Sequence, residues 1–225
     1  MEYTLTRSKR RTVAIYVRDG VLEVRAPLKM PKAMIDEFVA SKEKWAADKL
    51  VASARRLEQR ESFTLAYGDC VLYRGRPYPI TAREGKRAGF DGEVFYLPPD
   101  LPPGQIKAAC VKIYRMLAKR DLTERVRHFS GQMSVAPAAV KINGAKTRWG
   151  SCSGRKSLNF SWRLIMAADD VIDYVVVHEL AHLTEMNHSA RFWAIVEGVL
   201  PGYREQRAKL KELQCRLDGE DWEKK

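Results

Sequence analysis

The amino-acid sequence predicts an α+β fold, and three observations carry the expectation. Short segments that alternate apolar and polar residues gather in the first hundred positions. A long segment of helical periodicity begins near residue 105, and an unusually apolar helix spans 171–183 after a second group of alternating residues. Four prolines in "LPPDLPPG", residues 97–104, deny regular hydrogen bonding there and mark the best internal boundary. The expected organisation is a basic, β-rich region with helices over 1–103, then a region over 104–225 in which the apolar helix lies beside a β-hairpin. A chain of 225 residues is long enough for one sizeable core or two small ones.

The elements follow in order. "TVAIYV" at 12–17 and "VLEVRAP" at 21–27 alternate in polarity on either side of Asp19-Gly20, which predicts a hairpin. Pro31 suits the first turn of a helix, and helical periodicity continues with interruptions to about Arg60. "VLYRGRPYPITA" and "GEVFYLPP" read as further short strands, with Gly75-Arg76 as a turn. From Gln105 to Phe129 the pattern predicts one long amphipathic helix, with Ile106, Cys110, Ile113, Leu117, Leu122 and Val126 available for one face. His128, near its end, has no ligand-like neighbours and reads as structural or solvent-exposed. Leu158, Phe160 and Trp162 then alternate with Ser157, Asn159 and Ser161, and Gly154 supports a tight return from "TRWGSCS", predicting a second hairpin. Trp149 is expected to pack in the core, leaving Gly150 and Ser151 as residues of a cleft.

The helix at 171–183 carries the chemistry. Asp170 reads as its N-cap, with Asp173 in the first turn near the positive end of the helix dipole. His178 and His182 share one face, with Cβ atoms roughly 5–6 Å apart, close enough for two imidazoles to bind one metal ion. Glu179 is rotated about a quarter turn away, which suits a carboxylate reaching a water at the metal rather than the metal itself. This is the H-E-x-x-H pattern: two histidine ligands and a general-base glutamate on one helix. The alternative is a hydrogen-bonded core histidine pair. In so apolar a setting each imidazole would then need its own partner, whereas one metal satisfies both. A catalytic zinc normally takes three protein ligands. His188 is the candidate third, with Glu185 and Glu197 as rival oxygen ligands. Asn187, tolerant of left-handed backbone, is the expected turn, and Ser189 is the expected N-cap of a following helix that carries Phe192 and Trp193.

Charge and cysteine usage bound the remaining possibilities. Forty Lys and Arg against 28 Asp and Glu give a net charge of +12, with a concentrated run "RSKRR" at 7–11. Such a field attracts nucleotides, nucleic acid or acidic proteins, although the basic residues are widely spread and no nucleic-acid module is recognisable. Cys70, Cys110, Cys152 and Cys215 are far apart without a C-x-x-C pair, and read as reduced thiols of a cytoplasmic protein. A catalytic Cys152 is disfavoured, because the histidines of the region already have a role. No apolar run reaches membrane-spanning length and no signal core is present, so no membrane partner is expected.

"TRWGSCS" at 147–153, "LNFSWRL" at 158–164, "VIDYVVVHELAHL" at 171–183 and "NHSARFW" at 187–193 together resemble the YgjP-like family of predicted zinc metallopeptidases, relatives of SprT-like and minimal gluzincin enzymes. The resemblance implies a zincin-like catalytic region in which His178, His182 and His188 hold one Zn²⁺ and Glu179 activates water. It further implies that the hairpin beside the helix shapes the cleft for an extended peptide or protein substrate. Arg148, Arg163 and Tyr174 are the candidate donors to a developing oxyanion. Two other readings stay open on the residues alone. One is metal-dependent hydrolysis of a nucleotide phosphoanhydride, favoured by the positive charge. The other is a nucleic-acid-associated binding protein with structural zinc, although such sites are usually closed by four ligands and rich in Cys.

Overall fold

A computed structural model describes residues 1–223, which fall into two compact units: Met1–Phe63 with Leu217–Asp221, and Thr64–Arg216 with the residues from Trp222. Contacts thus divide the chain after Phe63, whereas composition suggested a boundary at 103/104. The prolines of that stretch fall inside the second unit. Pro102 and Pro103 stand at a helix start, where the first N–H groups have no helical partner in any case, so their missing donors cost nothing.

In the first unit, β1 (Thr4–Ser8), β2 (Ala14–Arg18) and β3 (Val21–Pro27) form a sheet of order β1-β3-β2. β2 and β3 are the expected hairpin, paired antiparallel across Asp19 and Gly20, both at positive φ. The sequence gives little sign of β1, where Leu5 is the only aliphatic residue; pairing parallel to β3 supplies its order. Leu22, Val24 and Ala26 form a buried cluster with Ile35 and Val39 of α1 (Lys32–Ala40) and Ala46 of α2 (Glu43–Ser62). The basic run is partly absorbed by the fold: the Arg7 guanidinium donates to the carbonyls of Pro27, Leu28 and Met30 at 2.7–3.1 Å.

In the second unit, β4 (Cys70–Tyr73), β5 (Arg76–Ala82), β6 (Gly89–Phe90) and β7 (Phe95–Leu97) make a sheet of order β4-β5-β7-β6. Tyr73 pairs with Arg76, so the turn residues are Arg74 and Gly75, one position earlier than expected, both left-handed as a two-residue hairpin turn requires. Gly75 meets a second demand, since a Cβ there would lie 2.9 Å from the Cα of Ala168. The helix α3 (Pro103–Met133) buries Ile106, Cys110, Ile113, Leu117, Leu122 and Val126, the face read from the sequence, and His128 is exposed on it.

A third sheet has the order β8-β10-β9, formed by β8 (Ala139–Asn143), β9 (Gly150–Cys152) and β10 (Ser157–Ser161). β9 and β10 are the second expected hairpin. Its left-handed turn residue is Lys156 (φ 58°) rather than Gly154, the return being closed by the Lys156 N–H donating to the Ser153 carbonyl at 2.8 Å. Trp149 is half-buried, not core; the wholly buried tryptophan is Trp162, stacked on Tyr114. A 3₁₀ turn over Trp162–Met166 leads to α4 (Asp169–Ala181), followed by α5 (Ala190–Val199) and α6 (Tyr203–Leu217). No described helix is long and apolar enough to cross a membrane.

Candidate metal centre

The centre is built on α4, whose N-terminal half is anchored by charge. Its N-cap is Ala168, one position before the helix, so Asp170 lies in the first turn instead of capping it; its Oδ1 accepts from the Val171 N–H at 2.9 Å. Asp169 accepts from Arg74 at 2.6 and 2.9 Å and from Arg125, Asp173 accepts from Arg125, and Lys209 donates to Asp170 at 2.9 Å. Val175, Val176 and Val177 are β-branched and mildly unfavourable in a helix. Burial of all three, with Val171, Ile172 and Leu180, overrides that local preference.

The helix ends at His182, its C-cap, and the chain leaves through a tight turn in which the N–H groups of Thr184 and Glu185 both donate to the Ala181 carbonyl. Asn187 is not left-handed, as no residue from 182 to 189 has positive φ. Its carboxamide oxygen instead accepts from the Ser189 N–H at 3.1 Å, a side-chain turn that achieves the reversal without strained backbone. Ser189 caps α5 as expected, its hydroxyl accepting from the Phe192 N–H at 3.3 Å. His188 is thereby carried back to the end of α4.

His178, His182 and His188 meet at this corner, with one ring nitrogen of each within 4.8 Å of the others and the Nε2 atoms of His178 and His188 at 3.0 Å. Phe192, fully buried, packs its ring centroid 4.6–4.9 Å from all three imidazoles. The His182 Nδ1 lies 3.1 Å from the Glu185 carbonyl. If Nδ1 carries the proton and donates there, Nε2 is left as the lone pair for a metal, the usual outer support of a ligating histidine. Burial, then the neighbouring His182, His188 and Arg207, lowers His178 to about 3, and burial lowers His188 as well. Neutral imidazole is the form that binds metal. Three converging imidazole nitrogens fit one ion of the zinc class. Among the described residues no carboxylate joins this group: the Glu185 carboxylate lies 3.9 Å from Arg191, and Glu197 is exposed.

Glu179 is 6 % exposed, and burial pushes its carboxyl up to about 7. Its Oε2 is buried with no protein partner, as is the Nδ1 of His178. Gly150 explains how Glu179 fits, because a Cβ at 150 would lie 2.5 Å from Glu179 Oε1 and 2.6 Å from its Cγ. The edge strand β9 therefore passes against the carboxylate at the one residue type without a side chain. Strand alternation puts Cys152 on the Gly150 face and Ser151 on the other, consistent with burial and then the charge of Glu179 raising the Cys152 thiol.

The three oxyanion candidates separate. Arg163 is buried, stacks on Trp162 and donates to the Gly144 carbonyl at 2.8 Å and to Glu223 at 3.3 Å, so its donors are committed elsewhere. Arg148 is exposed just before β9. Tyr174, one turn before His178 on α4, has its ring centroid 5.8 Å from that imidazole. Sequence reasoning missed Arg207 of α6, whose guanidinium lies over Trp193 beside the centre. Its separation from the motif along the chain leaves no local signal.

The YgjP-like metallopeptidase domain model matches residues 11–213. Among solved structures, the metallopeptidase zymogen of Pyrococcus abyssi abylysin is similar at 23 % identity over 43 % of this chain and 94 % of that one, with a TM-score of 0.38. The zymogen of Methanocaldococcus jannaschii jannalysin is similar at 19 % identity over 42 % of this chain and 95 % of that one, with a TM-score of 0.36. Both likenesses are too distant to bear on the chemistry. Among curated proteins none matches. With the family model spanning nearly the whole sequence, the chain belongs to the YgjP-like metallopeptidase-domain family.

Proposed function

We propose that this protein is a zinc-dependent peptidase in which His178, His182 and His188 hold one Zn²⁺ and Glu179 is the general base. The observation that carries the reading is the convergence of three imidazoles beside a buried carboxylate with an unpartnered oxygen. Zinc held there would polarise a scissile carbonyl and lower the pKa of water to about 7. Glu179 takes the proton from the attacking water and passes it to the departing amine, a role suited to a carboxyl raised to about 7. Tyr174 is the oxyanion donor this reading favours, because its ring meets His178 while Arg163 is otherwise engaged.

The substrate side of the proposal rests on β9. The Trp149 carbonyl accepts from Ser161 and the Ser153 N–H donates to Ser157, so odd-numbered residues turn their backbone groups toward β10. In an antiparallel pair the intervening residues, Gly150 and Cys152, turn theirs to the open edge. An extended peptide adding as a further strand would meet those groups beside Glu179. The Ser151 backbone is engaged with β10, so the role given to that residue reduces to the outer face of the strand. Four unpaired cysteines support the cytoplasmic reading.

Glu179→Gln tests the assignment, since it keeps size and hydrogen bonding but removes basicity. Zinc content should match the parent and peptide cleavage should fall by about two orders of magnitude or more. Both proteins are assayed on unfolded protein, peptide libraries and nucleoside triphosphates. Zinc-dependent nucleotide hydrolysis that requires Glu179, without peptide cleavage, would replace the peptidase reading. Turnover of neither class would favour a zinc-bearing binding protein.

A further inference from the structure

A ladder of aromatic rings leads away from the histidine corner. Trp193 stacks on His188 at 5.8 Å and on Tyr203 at 5.0 Å, and Tyr203 stacks on Tyr174 at 6.1 Å. Tyr174 and Tyr203 are buried and Trp193 is half-buried, so the ladder forms a wall with one open end. At that end the guanidinium of Arg207 lies 5.5 Å from the Trp193 ring centroid. Arg207 is exposed and, among the described residues, makes no hydrogen bond or ion pair. The nearby cation Lys209 is different, being shared between Asp170 and Glu205 at 2.9 Å each.

Stacking and hydrogen bonding use different parts of a guanidinium. The guanidinium lies over the indole at 5.5 Å from its centroid, and its N–H groups stay free for a carboxylate, which they match two at a time. The ring limits the side chain's freedom beforehand, so less entropy is lost when an anion arrives.

We propose that Arg207, held on Trp193, is a specificity residue that binds a carboxylate of the peptide substrate, either an acidic side chain near the scissile bond or the free chain end. The proposal rests on the peptidase reading of the centre, and its test keeps the two apart. Matched fluorogenic peptides are compared in which one glutamate is replaced by glutamine, or the terminal carboxylate by an amide. In the zinc-loaded parent, kcat/KM should favour the carboxylate member by about tenfold or more, the scale of a hydrogen bond to a charged group. In Arg207→Ala that ratio should fall to about one, and Arg207→Lys, a point charge without the fork, should retain only part of it.

Binding without turnover provides the second measurement. Fluorescence anisotropy of the same labelled peptides on zinc-loaded Glu179→Gln, with and without Arg207→Ala, should show the same preference and the same loss. Sensitivity to the glutamate substitution assigns the subsite to a side chain, and sensitivity to the terminal amide assigns it to the chain end. Equal binding of all peptides, or a preference that survives Arg207→Ala, overturns the proposal whether or not the parent cleaves. Absence of cleavage with an Arg207-dependent binding preference would overturn the peptidase reading and leave the carboxylate subsite standing.

Discussion

The two ends of α4 treat their polar side chains in opposite ways. At the start, Asp169, Asp170 and Asp173 each meet a cation from elsewhere in the unit, Arg74, Arg125 or Lys209. At the end, His178 Nδ1 and Glu179 Oε2 are buried with no protein partner, and the His178 and His188 nitrogens face each other across 3.0 Å. One helix therefore carries a charge-saturated anchor and a chemically unsaturated corner. Buried polar groups ordinarily find partners within the fold, because leaving one unpaired costs about 1–3 kcal/mol. The proposed zinc and its water would supply the partners that the second end lacks.

The sharpest way to break the contrast is to remove the proposed ligands. His178→Ala and His182→Ala should abolish tight binding of one zinc. His188→Ala should weaken it by more than the roughly 10–100-fold typical of losing an outer-shell partner. Glu185→Ala and Glu197→Ala should leave metal content intact, because Glu185 supports His182 through its backbone carbonyl and Glu197 is exposed. Metal analysis of the purified variants reads this directly, and full retention in His188→Ala with loss in Glu197→Ala would move the third ligand.

A smaller change to the unsaturated end acts from the neighbouring strand. Gly150→Ala places a methyl where Glu179 now sits, an overpacking expected to cost about 1–3 kcal/mol or to displace the carboxylate. Urea unfolding should report the first outcome, and a fall in kcat of about tenfold or more at unchanged zinc content the second. Parental values for both would mean that the strand yields without consequence.

The saturated end should respond in stability alone. Arg125→Ala strips one partner from both Asp169 and Asp173. Since Asp169 is half exposed and water screens its pair, the loss should be only about 1–2 kcal/mol, with zinc content unchanged.

The pH dependence has a definite sign. Burial raises Asp169, but Arg74 and Arg125 outweigh it and leave the carboxyl below its ordinary value; Lys209 chiefly lowers Asp170. A depressed folded pKa gives stability that is present above about pH 4 and lost as pH falls through the folded value. Asp173 is raised, burial exceeding the pull of Arg125, so its contribution runs the other way and is recovered on acidification. Acid unfolding should therefore steepen below about pH 4, and Asp169→Asn should flatten that limb. An unchanged acid limb would show that the anchor is electrostatically idle.

The same helix shows what local pattern can and cannot convey. The spacing of His178 and His182 sufficed to pair them, and Ser189 was readable as a cap because capping is a contact between near neighbours. The cap of α4 was misread by two positions, since two adjacent aspartates offer the same local signal and only the packing of the β4–β5 turn on Ala168 shows where the helix begins. For a similar reason the turn expected at Gly75-Arg76 falls one position earlier, at Arg74-Gly75, and Lys156 takes the left-handed place expected of Gly154. Composition favours glycine at positive φ, but pairing register decides which residue must adopt it.

The α+β class, the two-histidine helix with its glutamate and the hairpin beside it were legible from local pattern, because helical pitch and strand alternation are the same in every protein. Tertiary structure alone decided how His188 returns to the pair, how deeply Glu179 is buried, why residue 150 has no side chain and which cation of α6 stands at the rim. Each of these depends on segments far apart in the chain that are brought together by burial. Burial is a property of the packed whole, and no window of neighbouring residues contains it.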